Sequence, residues 1–289
     1  MSKNYSVIIC AFNEEKNILN LISQIQAQNL QPLELIVVND CSTDKTKELL
    51  ETQKGIILIN NPVNLGKPKS FNLGKNQATA DVLVFFDADI TITNKDLSRE
   101  ILKSFENDDK LALIGGNPTP FMNLQPKTPT MLASIGSFFV VHNLKTQFED
   151  HLLQAHGRIL AMSRNYYQNL EVPKTVADDQ FIYLKSKEYG NFKFLETAKV
   201  YYKTPMILQD YLIQSQRFGR TENEIKTYFS KGIVDKYSTT KPINKLKAMF
   251  KTLITHPIYF SFWLWFFVYS RFLVKKTVSQ NWGTANSTK

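Results

Sequence analysis

Four short apolar runs, separated by helical patterns, leave few architectures open to this chain. Residues 5–10, 33–39, 56–60 and 82–86 are rich in Val, Ile, Leu and Phe, and helical patterns fill 14–28, 44–53 and 67–78 between them. Strands alternating with helices pair in parallel, because each helix carries the chain back to the starting edge of the sheet. Such a sheet is covered on both faces, so its strands read as continuous apolar runs, as Val82, Leu83, Val84, Phe85 and Phe86 do. The expected class is therefore α/β with a mostly parallel sheet. Thr43 or Asp44 can cap the second helix, and Gly55 can end it.

The rest of the chain is less regular. Four prolines between residues 117 and 129 predict a break in regular structure and entry into a second region. There the patterns give a helix near 131–144, a strand near 159–162, a helix near 178–188, a strand near 192–201 and a helix near 206–229. The net charge of +9 is confined to the tail: residues 236–289 hold nine Lys/Arg and no Asp/Glu, leaving 35 − 9 = 26 basic against 26 acidic residues upstream. Residues 244–251 are basic and amphipathic, and 252–270 carry no formal charge over 19 residues. At 1.5 Å per residue that is about 28 Å, against a hydrocarbon core of about 30 Å.

His256 and Pro257 shorten the purely apolar part to 257–270. Membrane contact is expected, either spanning or lying in the surface, with Trp263 and Trp265 as interface anchors. A pair of buried core helices is the other reading. Basicity joined to apolar sequence fits an anionic membrane surface rather than nucleic acid, for which there is no recognition motif. Residues 1–6 hold no apolar signal core, and the two cysteines, Cys10 and Cys41, lack metal spacing. Both points place the catalytic body in the cytoplasm as an expectation.

Chemistry concentrates at the strand ends. In open α/β sheets ligands sit beyond the carboxyl ends of the strands. Polar clusters fall there after the first strand (Ala11, Phe12, Asn13, Glu14, Glu15), the second (Asn39 to Asp44) and the fourth (Asp87, Ala88, Asp89). Side chains two apart in extended backbone point the same way, roughly 6–7 Å apart, so Asp87 and Asp89 can share a divalent ion and a polar ligand such as a nucleotide diphosphate. A lone Asp-x-Asp also occurs as a solvated turn. Three such clusters on one rim point to a site.

The stretches Val7-Ile8-Ile9-Cys10-Ala11-Phe12-Asn13-Glu14-Glu15, Val37-Val38-Asn39-Asp40-Cys41-Ser42-Thr43-Asp44, Asn64-Leu65-Gly66-Lys67 through Gly74, and Phe85-Phe86-Asp87-Ala88-Asp89 resemble the successive motifs of family 2 glycosyltransferases. That family has the GT-A fold, a Rossmann-like, mostly parallel sheet with flanking helices. Here amphipathic and hydrophobic C-terminal helices would follow it. Cys10 replaces a frequent proline, Asn39 an acidic residue and Cys41 a usual glycine.

The resemblance implies roles. Asp40 would hydrogen-bond the base, with Ala11, Phe12 and Glu14 lining the nucleoside pocket and Lys67 adding a cation near the nucleotide. Asp87 would face the ribose or the metal shell, and Asp89 would coordinate Mg2+ or Mn2+. Ala177-Asp178-Asp179-Gln180-Phe181 resembles the motif that bears the catalytic base, here Asp179, with Asp178 beside it toward acceptor or diphosphate. Helix capping is the alternative for that acidic pair. Gln214, Arg217 and Phe218 resemble a Gln-x-x-Arg-Trp motif for diphosphate and acceptor, or belong to an ordinary amphipathic helix.

The expectation is an inverting, metal-dependent, membrane-associated glycosyltransferase using a nucleotide-diphosphate sugar, with UDP as the expected nucleotide, and a lipid-linked or glycan acceptor. It divides into a nucleotide-binding half (1–116), an acceptor- and base-bearing half (117–235) and a membrane-associating tail (236–289). The rivals are a sugar nucleotidyltransferase, which wants a glycine-rich basic loop after the first strand, and a non-catalytic nucleotide-binding membrane adaptor.

Overall fold

In the computed structural model, which describes residues 3–122, 128–148, 151–238 and 241–272, eight strands form one sheet in the order β3-β2-β1-β4-β7-β6-β8-β5. The chain runs β1 (Tyr5–Ala11), α1 (Ile18–Gln26), β2 (Glu34–Asn39), α2 (Thr46–Glu51), β3 (Ile57–Asn60), α3 (Lys67–Lys75), β4 (Val82–Asp87), β5 (Ile90–Thr91), α4 (Leu97–Asn107) and β6 (Leu111–Pro120). It continues through α5 (Pro129–Gln147), α6 (His151–Gln154), β7 (Ile159–Ser163), α7 (Arg164–Asn169), α8 (Asp178–Ser186) and β8 (Asn191–Tyr202). The last elements are α9 (Leu208–Tyr228), α10 (Lys231–Ser238), α11 (Pro242–Thr255) and α12 (Pro257–Phe272).

Strands β1 to β4 pair in parallel, as the apolar runs require. β7 then lies antiparallel to β4, and β6 antiparallel to β7, so the sheet is mixed. Both faces of the parallel part are covered. Ile9, Val84 and Phe86 join Ile18, Leu21, Ile22 and Ile25 of α1 in one core, while Phe85 meets Phe71 of α3 edge-on, with ring centroids 5.5 Å apart. Each such fully buried side chain contributes roughly 1.5–3 kcal/mol.

Regular structure runs further into the proline-rich stretch than expected, because β6 continues through Pro118 and Pro120. Its pairing with β7 covers Leu113 to Gly115, so both prolines lie past that ladder. α4 and α7 were not anticipated. The second helix begins at Thr46 with Lys45, not Thr43 or Asp44, at its N-cap; Asp44 stands one residue ahead and accepts from Thr46 N at 3.0 Å, a local turn bond before the helix.

The chain packs as two compact units, one holding 1–118 and 155–201, the other 119–154 and 202–288. This is a division by packing, and the functional division at residues 116 and 235 stays a proposal. In the second unit α11 and α12 pack on α5. Gly136 makes this possible: a Cβ there would lie 2.2 Å from Tyr259 O and 2.7 Å from Trp263 Cβ. Val140 and Leu144 meet Ala248, Phe260 and Trp263, and Asn143 Nδ2 donates to Thr252 Oγ1 at 2.9 Å.

The uncharged stretch 252–270 is not one helix. α11 ends at Thr255, His256 takes φ −140° and ψ 58°, and α12 starts at Pro257, because a residue before proline is pushed out of the helical region. Among the described residues no helix is long and apolar enough to cross a membrane; the 16 residues of α12 span about 24 Å.

Candidate active site

The rim is built from the loops after β1, β2 and β4, and the first two are laced together. Asn13 N donates to Ser42 Oγ at 3.0 Å, Thr43 N to Asn13 Oδ1 at 2.7 Å, Glu14 N to Thr46 Oγ1 at 2.7 Å and Glu15 N to Asp44 Oδ2 at 3.2 Å. Asn13 and Cys41 both take left-handed backbone, φ 55° and 60°. Asn tolerates that conformation; Cys41, standing where the family usually has glycine, carries strain.

Asp40 is fully buried under this rim. Its carboxylate accepts from Leu65 N at 2.9 Å, Gly66 N at 2.8 Å and Asn61 Nδ2 at 2.7 Å. It thereby fixes the turn at Gly66, φ 87°, that launches α3 and presents Lys67. Ala11 lies in the apolar core with its carbonyl taken by Asp40 N at 2.8 Å, and Glu14, 7% exposed, accepts from Asn17 Nδ2 at 2.9 Å. Of the four residues implied for the nucleoside pocket, Phe12 is the one half-buried rather than buried. Contact of Ala11, Glu14 and Asp40 with a nucleoside would require the rim to open, and it stays a proposal.

Lys67 is the centre of the charged cluster. Its ammonium lies 2.7 Å from Asp87 Oδ1 and 3.2 Å from Asp178 Oδ2, and 5.0 Å from the centre of the Phe85 ring. With 17% of its side chain exposed, it is not a solvated surface lysine. Burial works against its charge, but Asp178 and Asp87 more than offset this, and the net effect raises its pKa. Asp178 heads α8, and Asp179 follows it, its Oδ2 accepting from Gly157 N at 3.3 Å and its Oδ1 from Gln180 N at 2.8 Å.

Gly157 permits this convergence. A Cβ there would stand 3.3 Å from Asp179 Cβ and 3.4 Å from Lys67 Nζ. The adjacent Arg158 places its carbonyl on Asp87 N at 3.1 Å. Burial raises the Asp87 pKa against the opposing charge of Lys67, Asp89 adds like-charge repulsion, and Arg158 pulls the other way. Asp179 is pushed up to about 6, first by burial and then by Asp178, with Lys67 pulling the other way.

Four carboxylates (Asp87, Asp89, Asp178, Asp179) against two cationic side chains (Lys67, Arg158) leave 4 − 2 = 2 formal negative charges in and around the cluster. A divalent cation would balance that excess. Among the described residues no three His, Cys, Asp or Glu side chains form a ready metal cage. The donor set fits a hard ion held by one or two carboxylates with the remaining positions filled by phosphate and water, and Asp87 and Asp89 are the residues that would hold it.

The structure thus brings Asp87, Asp178 and Asp179 together around Lys67, with Asp89 close enough to act on Asp87, and seats Asp40 beneath the turn that presents Lys67. Gln214 is half-buried on α9 in the second unit; the side chains of Arg217 and Phe218 lie outside the described residues. The sequence marks Gly157-Arg158 only weakly, as a glycine ahead of a short strand, and does not mark Asn61. His156 is half-buried, with Nε2 3.3 Å from an Arg158 guanidinium nitrogen. Local pattern says little about Arg158 and His156, since an antiparallel strand from far along the chain delivers them.

The family model for glycosyl transferase family 2 matches residues 6–172. The poly-beta-1,6-N-acetyl-D-glucosamine synthase of Staphylococcus aureus (strain COL) is 32% identical over 114 residues, 38% of this chain. That alignment spans 27% of the relative's own length. Among solved structures, the mannosyltransferase PcManGT from Pyrobaculum calidifontis, in complex with GDP-Man and Mn2+, matches with a TM-score of 0.58 at 17% identity, over 96% of this chain and 77% of that one. Glucosyl-3-phosphoglycerate synthase from Mycobacterium tuberculosis, in complex with Mn2+, UDP and phosphoglyceric acid, matches with a TM-score of 0.57 at 15% identity, over 78% of each chain. At these identities the structural likeness is one of fold.

Proposed function

The chain belongs to glycosyl transferase family 2, and from that premise we propose that it is an inverting glycosyltransferase moving a sugar from a UDP-sugar to an acceptor hydroxyl on a lipid or glycan. The observation that carries the proposal is the bridge at Lys67. One ammonium within 2.7 Å of Asp87 and 3.2 Å of Asp178 ties the strand-end carboxylates to the acidic head of α8. The nucleotide-diphosphate ligands of the two structural neighbours support the donor class.

Asp179 sits at the helix head with its carboxylate oriented by the Gly157 and Gln180 amides. In the proposed reaction it takes the proton of the acceptor hydroxyl as that oxygen bonds to the anomeric carbon. The bond from that carbon to the diphosphate breaks on the opposite face, and the electron pair leaves with the nucleotide. Asp87 and Asp89 would hold Mg2+ or Mn2+, which when bound would neutralise charge on the diphosphate. Lys67 holds Asp87 and Asp178 in register for this arrangement. Gln214, Arg217 and Phe218 are proposed on the acceptor or diphosphate side, with the protein attached to a membrane surface and its catalytic unit in the cytoplasm.

Purified full chain with Mn2+ should release UDP from a UDP-sugar donor. Asp179→Asn should lower turnover on the order of 10²- to 10⁴-fold while leaving nucleotide affinity intact, as expected for removal of a general base. Turnover equal to the parent removes the assignment of Asp179. Metal-dependent nucleotide binding without turnover on any donor would favour the adaptor, and pyrophosphate release from a nucleoside triphosphate would favour the nucleotidyltransferase.

A further inference from the structure

The second unit turns an apolar face outward that none of the chemistry above uses. On α11, Ile243, Leu246, Phe250 and Ile254 are 53%, 60%, 64% and 65% exposed. At about 100° per residue these four fall within an arc of about 80°. The opposite side of the helix holds the buried Ala248 and Thr252, which pack on α5. On α12, Ile258 and Trp265 are 66% and 59% exposed. α11 is therefore apolar on two faces, and only one of them is covered by this unit. Large side chains gathered at such exposure mark an interaction surface.

Charge selects the occupant. The exposed lysines Lys247 and Lys251 edge the apolar arc of α11, and residues 236–289 contain no Asp or Glu at all. An apolar stripe with lysines along one edge complements a surface that is greasy within and negative at its border. We propose that the outward face of α11 and α12 docks on an anionic lipid bilayer, both helices lying in the plane of the interface. This rests on the membrane attachment proposed above and makes it specific: an interfacial seat, anionic headgroups, and named side chains.

The test is flotation of the full chain with vesicles of phosphatidylcholine alone or mixed with phosphatidylglycerol. The chain should float with the mixed vesicles. Replacing Lys247 and Lys251 with Gln should weaken binding about fivefold per lysine. Phe250→Gln together with Ile254→Gln should weaken it on the order of tenfold or more. These side chains are exposed, so thermal melting of the variants should match the parent and shows that lost binding is not unfolding. Undiminished flotation of the Phe250/Ile254 variant overturns the proposal. So does a parent dimer that the same variant dissolves, since a second copy would then be the occupant. UDP release in lipid-free buffer reads the catalytic proposal separately. Turnover without flotation overturns the docking surface alone, whereas flotation without turnover supports the docking surface and counts against the enzyme.

Discussion

Under the strand rim, Asp40 is fully buried with three hydrogen bonds to its carboxylate, while on α11 Phe250 and Ile254 stand about two-thirds exposed. At the rim the first unit buries charge and meets it with partners, three donors on the Asp40 carboxylate and two carboxylates on the Lys67 ammonium. The second leaves apolar carbon in water and answers it with nothing of its own. A buried charge without partners costs several kcal/mol, so these hydrogen bonds hold the rim closed. Exposed apolar surface costs less per residue and can be relieved by whatever binds there. The contrast teaches where to look for self-contained chemistry and where to look for a partner.

If that contrast is right, the largest loss of stability follows from removing the anchor of the rim. Asp40→Ala strips the acceptor from Leu65 N, Gly66 N and Asn61 Nδ2 and should destabilise the chain by about 3–5 kcal/mol in chemical denaturation. Asp40→Asn keeps an acceptor oxygen and should lose less. A change below about 1 kcal/mol in the Ala variant would mean that water already satisfies the turn, and the rim is not the closed network described.

The second unit should respond to volume rather than charge. Gly136→Val pushes carbon into Tyr259 O and Trp263 Cβ, where even a Cβ has no room, and should cost about 1–3 kcal/mol or more. Tolerance of valine there would show that α5 and α12 slide freely. A smaller effect of opposite sign is expected in the rim: Cys41→Gly removes a side chain from left-handed backbone at φ 60° and should stabilise by about 0.5–1 kcal/mol.

The parallel part of the fold was legible because buried strands betray themselves as unbroken apolar runs, and their polar ends mark the rim. Asp87, Asp89 and Asp179 were legible for the same reason: carboxylates at a strand end or a helix start are conspicuous. Three things were not. Gly157 and Arg158 give only a weak local signal, and that they reach Asp87, Asp179 and Lys67 depends on an antiparallel strand whose partner is set by tertiary packing. The part played by Asp40 depends on the turn at Gly66, which a sequence motif does not distinguish from a ligand contact. The outward apolar arc of α11 has the same periodicity as a buried one, since period alone cannot say which face is covered.

The smallest predicted effect sharpens the comparison within the rim itself. Asp179 has a pKa of about 6, raised first by burial and then by Asp178. Only its ionised form can take a proton, so the acid limb of kcat/KM should rise through about pH 6 and flatten above it. Asp178→Asn removes the like charge and should move that midpoint to lower pH. At pH 7 the parent carboxylate is already about nine-tenths ionised, so the variant differs little there and separates from it near pH 5.5. Stability runs the other way. Because the folded value lies above the ordinary 3.8, the folded chain holds this proton more tightly than the unfolded chain. The contribution is therefore present in acid and is lost as pH rises from about 4 toward 6. A midpoint that stays fixed in Asp178→Asn would assign the shift to burial alone and would uncouple the two aspartates that open α8.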